Sequence, residues 1–165
     1  MIAQPAYMVL FLCTGNACRS IMAEAIFNHL APAGLRAMSA GSQPVGRVHP
    51  RTLALLARQR VPTERLHSKS WDDLPAAPDF VITLCDTAAG ESCPAYFGPV
   101  LRAHWGVEDP ARAAGSEAEI DAAFLAAYRI LRARIEAFLA LALAELRRDP
   151  ARFTVEVERI GTLLP

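Results

Sequence analysis

The chain carries no net charge: seventeen basic side chains are matched by seventeen acidic ones, which removes the global field that would hold a protein on nucleic acid or an anionic membrane. Any anion site must therefore be built locally. No apolar run approaches the roughly 20 residues of a membrane-spanning helix. The longest apolar-rich stretch, Ala137 to Leu146, suits the inner face of a helix in a soluble fold. Met1 to Leu12 has neither a basic leader nor a cleavage-like pattern behind a long apolar stretch, so no signal peptide is expected and the cytoplasm is the expected location. Internal repeats, low-complexity tracts and linkers are absent from the sequence. Cysteines number only four, Cys13, Cys18, Cys85 and Cys93. In a reducing compartment such thiols serve catalysis or metals more often than cross-links.

What is present is ample apolar material, 53% hydrophobic against 21% charged in 165 residues. That supplies one core and predicts a single domain over residues 1–165. Its core should lie at about 7–148, with 150–165 a loosely packed tail. Met8 to Leu12 is an apolar, partly β-branched run ended by turn chemistry, the pattern of a strand buried on both faces. Met22, Ile26 and Leu30 recur every fourth residue and predict an amphipathic helix over Arg19 to Leu30, closed by Pro32 and Gly34. A second strand is expected over Leu35 to Ala40, and a helix over Arg51 to Arg60 with Pro50 in its first turn. Strands follow at Asp79 to Leu84 and Val100 to Trp105. Ser116 and Glu119 form a capping box. Ile120, Phe124, Tyr128, Leu131, Ile135, Phe138 and Ala142 then trace one helical stripe that runs on to Arg147. Strands alternating with helices imply an α/β fold with a parallel sheet and helices on both faces.

The chemistry concentrates in Cys13-Thr14-Gly15-Asn16-Ala17-Cys18-Arg19-Ser20, between the first strand and the first helix. Ligands of open α/β sheets bind at such strand-to-helix junctions. A loop curling into a helix N-terminus aims unpaired N–H groups at one point, where the helix dipole adds positive character, so an oxyanion fits there. Gly15 and Asn16 can supply left-handed backbone, and Arg19 adds a planar fork for two oxygens of a phosphate-like group. The same donors favour the thiolate of Cys13, and Ser20 can donate to its sulfur. The loop alone assigns Cys18 no role; its simplest reading is a small buried apolar side chain at the helix start.

The run from Val9 to Ser20, followed by Met22-Ala23-Glu24, resembles the low-molecular-weight protein tyrosine phosphatases. Within that family the chain is similar to the arsenate reductases built on the same scaffold. The likeness extends from about Tyr7 to Leu141. It implies a three-layer fold, a parallel sheet of four strands in the order 2-1-3-4 flanked by helices, with Cys13 as nucleophile. Asp109, which Pro110 biases toward extended backbone, is either a surface Asp-Pro turn or an acid reaching over the pocket. The resemblance assigns it the second role. The phosphatase branch carries an aromatic pair just after that Asp-Pro, where this chain has Ala111-Arg112. Without those rings a small inorganic oxyanion is the better guest than an aryl phosphate.

Cys85, at the end of the third strand, and Cys93 could be buried apolar residues or half of a metal site, but no histidine stands near them at a zinc spacing, and no metal is expected. They resemble the relay thiols of the thioredoxin-coupled reductases; a glutaredoxin–glutathione donor is the nearest variation. Eight extended residues span up to ~26 Å, whereas a disulfide needs Cα atoms about 4.4–6.8 Å apart, so a mobile loop over Asp86 to Gly98 is expected. Some thioredoxin-coupled relatives hold potassium through groups matching Asn16, Glu24 and Ser39. Their fourth group, an aspartate, falls at Ser70 here, which leaves the cage incomplete. No tightly bound cofactor is expected, and Asn16, Glu24 and Ser39 are expected to brace the loop. His104 fits a packed histidine, and His29, His49 and His67 form no constellation. The expected activity is arsenate reduction. The alternatives are a protein tyrosine or aryl phosphatase, and a thiol sensor that is not an enzyme.

Overall fold

A computed structural model describes residues 6–86 and 98–164. Its centre is a four-stranded parallel sheet in the order β2-β1-β3-β4. The strands are β1 (Tyr7–Cys13), β2 (Leu35–Gly41), β3 (Phe80–Thr83) and β4 (Leu101–His104). The helices are α1 (Arg19–Leu30), α2 (Pro50–Arg58), α3 (Glu117–Leu139), the single turn α4 (Leu143–Leu146) and α5 (Pro150–Ile160). Strand order and helical flanks agree with the expected architecture.

Period-two alternation along β1 divides the core. Val9, Phe11 and Cys13 face a large cluster made with α1, α2, α3 and α5, while Leu10 and Leu12 face a smaller one with Met38, Ala40 and Val81. Among the described residues, the smaller face is covered by the 3-10 turn Trp71–Asp73 with Leu74 and Val100. The segment 87–97 between β3 and β4 lies outside the described residues, and with it the expected mobile loop and Cys93.

Three expectations change. First, α1 is not amphipathic: Arg19 through Phe27 are all buried, because the helix is packed from several sides. Second, the stripe from Ser116 does not run to Arg147 as one helix. The capping box forms as expected, Glu119 N donating to Ser116 Oγ at 3.1 Å and Ser116 N to Glu119 Oε1 at 3.3 Å, but α3 ends at Leu139. No proline or glycine marks the break. The chain turns there so that Leu146 and then α5 can reach the core.

Third, the C-terminal segment is no loose tail. Pro150 stands in the first turn of α5, Asp149 caps it by accepting from Arg152 N at 3.2 Å, and Phe153, Val157 and Ile160 are buried. Phe153 lies 5.0 Å from Phe80 and 5.9 Å from Phe138, centroid to centroid, and Trp105 Nε1 donates to Val157 O at 2.8 Å. A Cβ on Gly161 would stand 2.7 Å from His104 O, so only glycine admits this approach to β4. Burial of three apolar side chains at a spacing of four and three residues outweighs the polar composition that makes the segment read as a tail.

Candidate active site

β1 delivers Cys13 to the carboxyl edge of the sheet, and the chain curls through Thr14–Cys18 into α1. Asn16, not Gly15, takes the left-handed conformation, with φ 48°. Among the described residues, the N–H groups of Gly15, Ala17 and Cys18 donate to no other group, and α1 has neither a side-chain cap nor an acidic residue in its first turn. The orphan donors that another helix would satisfy with its own serine or aspartate are thus left for an external anion. Asn16 N points at Cys13 Sγ at 3.3 Å.

The sulfur also lies 2.8 Å from Ser20 Oγ. Asn16 Nδ2 donates to that same hydroxyl at 2.8 Å and to Ser39 Oγ at 3.0 Å, and Ser39 Oγ in turn donates to Glu24 Oε1 at 2.6 Å. With an amide donor already on its oxygen, the Ser20 hydroxyl has its own proton available for Cys13 Sγ. Asn16, Ser39 and Glu24 are all buried.

Arg19 is buried and joins three segments. Its Nη1 donates to Val107 O at 3.0 Å and Leu84 O at 3.4 Å, and its Nη2 lies 3.7 Å from Asp109 Oδ2. Asp109 caps the turn Pro110–Arg112 by accepting from Ala111 N at 3.0 Å, and remains about a quarter exposed. The segment between β4 and Asp109 is tied to α3 by Arg134, whose Nη1 donates to Gly106 O at 3.1 Å and whose Nε donates to Leu163 O at 3.0 Å. Cys85 follows Leu84, whose N–H pairs with Leu12 O, and so leaves the sheet at the same edge as Cys13. Cys13 and Cys18 are free thiols, whereas Cys85 is disulfide-bonded.

Cys18 is buried, and that burial pushes its thiol up to about 11. The Thr52 hydroxyl beside it, buried with no full hydrogen bond among the described residues, offsets only part of the rise. At neutral pH Cys18 is therefore a protonated, packed side chain. His104 is a hydrogen-bonded histidine, with Nδ1 2.7 Å from Thr83 Oγ1 and its backbone N–H donating to Glu158 Oε1 at 3.0 Å.

Cys13, Gly15, Asn16, Ala17, Cys18, Arg19, Asp109 and Ala111 line one cleft, which also takes in residues that sequence reasoning missed: Val45, Arg47, His49 and Pro50. They belong to the segment after β2, which is laced to the anion loop by Ser42 N to Cys13 O, Gln43 N to Thr14 O, Val45 N to Gly15 O and His49 N to Ala17 O. His49 therefore does join a constellation. Its Nδ1 accepts from Arg51 N, its ring lies 4.9 Å from Phe124, and burial holds it below the usual imidazole range. Gly41 permits this lacing, because a Cβ there would stand 2.3 Å from Thr14 O. A glycine ending the second strand was the available signal.

The sequence model of the low molecular weight phosphotyrosine protein phosphatase family matches residues 8–152. The arsenate reductase of Shouchella clausii is 36% identical over 113 residues, 68% of this chain and 80% of that protein. This chain belongs to the low molecular weight phosphotyrosine protein phosphatase family, in its arsenate reductase branch. Solved structures of the same branch superpose on it. An arsenate reductase from Archaeoglobus fulgidus has a TM-score of 0.62 at 26% identity, covering 78% of this chain and 98% of its own. The thioredoxin-dependent arsenate reductase of Corynebacterium glutamicum has a TM-score of 0.56 at 32% identity, covering 82% and 64%. In this phosphatase-family chain Ala111 lines the cleft where the aryl-binding members are expected to carry an aromatic wall.

Proposed function

We propose that this chain reduces arsenate to arsenite at Cys13, with Cys85 and Cys93 as an internal dithiol relay and a thioredoxin-type protein as the final reductant. The observation that carries the reading is the coexistence of a free Cys13 sulfur, held against the Ser20 hydroxyl and the Asn16 N–H in an anion loop, with a disulfide-bonded Cys85 at the same sheet edge. Hydrolysis of a phosphate ester returns its thiol unchanged and has no use for a second one, whereas As(V) to As(III) requires two electrons.

In the proposed sequence, arsenate sits on the N–H groups of the loop and the Arg19 guanidinium. Cys13 sulfur attacks arsenic, and Asp109 protonates the departing oxygen, which leaves as water. The Cys85 thiolate then attacks Cys13 sulfur. The S–As bond breaks with its electron pair going to arsenic, so arsenite leaves and a Cys13–Cys85 disulfide remains. Cys93 attacks Cys85, freeing Cys13 and leaving Cys85–Cys93 for an external dithiol to reduce. The state observed, with Cys13 free and Cys85 oxidised, is the one expected after that last internal exchange. Arg19 suits a coordinating role, since one guanidinium touches the anion loop's neighbour Asp109 and the carbonyl preceding Cys85. A reducing compartment, the cytoplasm, is the location proposed with this reading, because it would supply the external dithiol.

The test couples arsenate to NADPH oxidation through thioredoxin and thioredoxin reductase, with a glutaredoxin–glutathione mixture as the parallel arm. Arsenate-dependent NADPH consumption is the expected result. Steady hydrolysis of a chromogenic aryl phosphate without any thiol donor, together with no arsenite, would replace this reading with that of a phosphatase.

A further inference from the structure

The network behind the anion loop ends on a charge that the loop's own chemistry does not explain. Glu24 is a buried carboxylate, and its partners are the Ser39 hydroxyl and the ammonium of Lys69, 3.6 Å from Oε1. Lys69 is itself almost covered, its side chain 9% exposed, and its Nζ also donates to His67 O at 3.0 Å. Its backbone is fastened to the same network: Lys69 N donates to Asn16 Oδ1 at 2.9 Å, and Lys69 O accepts from Gly41 N at 2.9 Å. One residue thus grips the loop through its main chain and neutralises the buried carboxylate through its side chain.

A potassium ion held by groups at Asn16, Glu24 and Ser39 does not fit these residues. Asn16 Oδ1 already accepts from Lys69 N. Ser70, at the position of the missing aspartate, spends its hydroxyl capping the turn Trp71–Asp73, where it accepts from Asp72 N at 3.1 Å. Glu24 then provides the only carboxylate of the set, and an ammonium already faces it. Ammonium and potassium have nearly the same size and charge, so a lysine can substitute for the ion, but as a tethered cation it requires no ion from solution. A buried carboxylate left without a cation would be costly, which gives the lysine a reason to be where it is.

We infer that Lys69 is a built-in cation for the anion loop, a positioning residue that makes this chain indifferent to potassium. The inference concerns the loop's support and stands whatever oxyanion the loop takes. Lys69 and Glu24 both line a groove of ≈ 860 Å³ that opens to solvent, so an ion would have a path to Glu24 if the ammonium were removed.

The test compares thermal unfolding and sulfate affinity of the wild type and Lys69→Met in KCl and in NaCl at equal ionic strength. The wild type should show the same Tm and the same affinity in both salts. Lys69→Met should be weaker on both measures in NaCl and should recover selectively in KCl, by about 2–6 °C in Tm. A lysine that merely packs would give a variant whose losses ignore the identity of the cation. Potassium-selective stabilisation of the wild type, or a Lys69→Met protein unresponsive to the choice of salt, overturns the inference. If Lys69→Met does not fold in either salt, Lys69→Arg decides: its retained charge predicts indifference to potassium, and a potassium-selective gain in that variant refutes the assignment.

Discussion

Replacing Arg19 by lysine isolates geometry from charge. The net charge of the chain, and so the long-range attraction for an anion, is unchanged, yet a single ammonium replaces a fork that reaches Val107 O, Leu84 O and Asp109 at once. An ammonium cannot hold the two carbonyls and also present two parallel donors to an oxyanion. Loss of one charge-assisted bond to the anion costs about 1.5–3 kcal/mol, which is roughly a 10- to 150-fold weaker complex. The assay is calorimetric titration of sulfate, a non-reducible tetrahedral probe, into both proteins, with a Tm for each to show that the fold persists. Sulfate affinity in Arg19→Lys within twofold of wild type would refute the reasoning, because net charge alone would then account for binding.

Asp109→Asn, which keeps the cap on Ala111 N but cannot deliver a proton, should lower turnover by about 10²-fold or more while leaving sulfate affinity nearly unchanged; a parallel loss of both would mean that the carboxyl serves structure. Burial raises Cys18 from 9.0 to about 11, so the folded chain holds this proton more tightly than the unfolded one. The stability that represents is whole below pH 9 and is lost as pH rises toward 11, so chemical denaturation midpoints should fall across that window, and less steeply in Cys18→Ala. Phe153→Ala should destabilise the whole domain by about 3–5 kcal/mol, read from urea unfolding, because a core ring is deleted; a cost below ~1 kcal/mol would mean that α5 is dispensable.

The loop and the helix behind it were legible because their signals are local. Cys13, Asn16, Arg19 and Ser20 lie within one strand-to-helix turn, so residue type and spacing alone bring them together. The boundaries of α1 were likewise written in Arg19, Leu30 and Pro32, and the α3 cap in Ser116 and Glu119. The likeness to a known family supplied what spacing could not, the order of the strands and the role proposed for Asp109.

What escaped the sequence depends on contacts between distant segments. Arg47 and His49 enter the cleft only because residues 42–49 pair with the anion loop backbone, and that pairing is visible only once Gly41 and Thr14 are seen in contact. The helix break after Leu139 carries no breaker residue and follows from tertiary packing. The segment after Pro150 is polar by count, yet its three apolar residues share one face and meet Phe80, Phe138 and Trp105. Lys69 carries no signal of its own, because a lone lysine is usually solvated and nothing in its neighbourhood points to a buried carboxylate 45 residues earlier in the chain, at Glu24.

The central claim, that one thiol binds the oxyanion while two others carry away the oxidation, is tested most directly by a single turnover without external reductant. Fully reduced protein is mixed with arsenate and quenched with an alkylating reagent, and released arsenite is counted against thiols lost, with peptide mapping of the disulfide. The account predicts one arsenite for each pair of thiols lost, the pair being Cys85 and Cys93, with Cys13 and Cys18 both alkylated. All four thiols intact and no arsenite, or a final disulfide that retains Cys13, would contradict it.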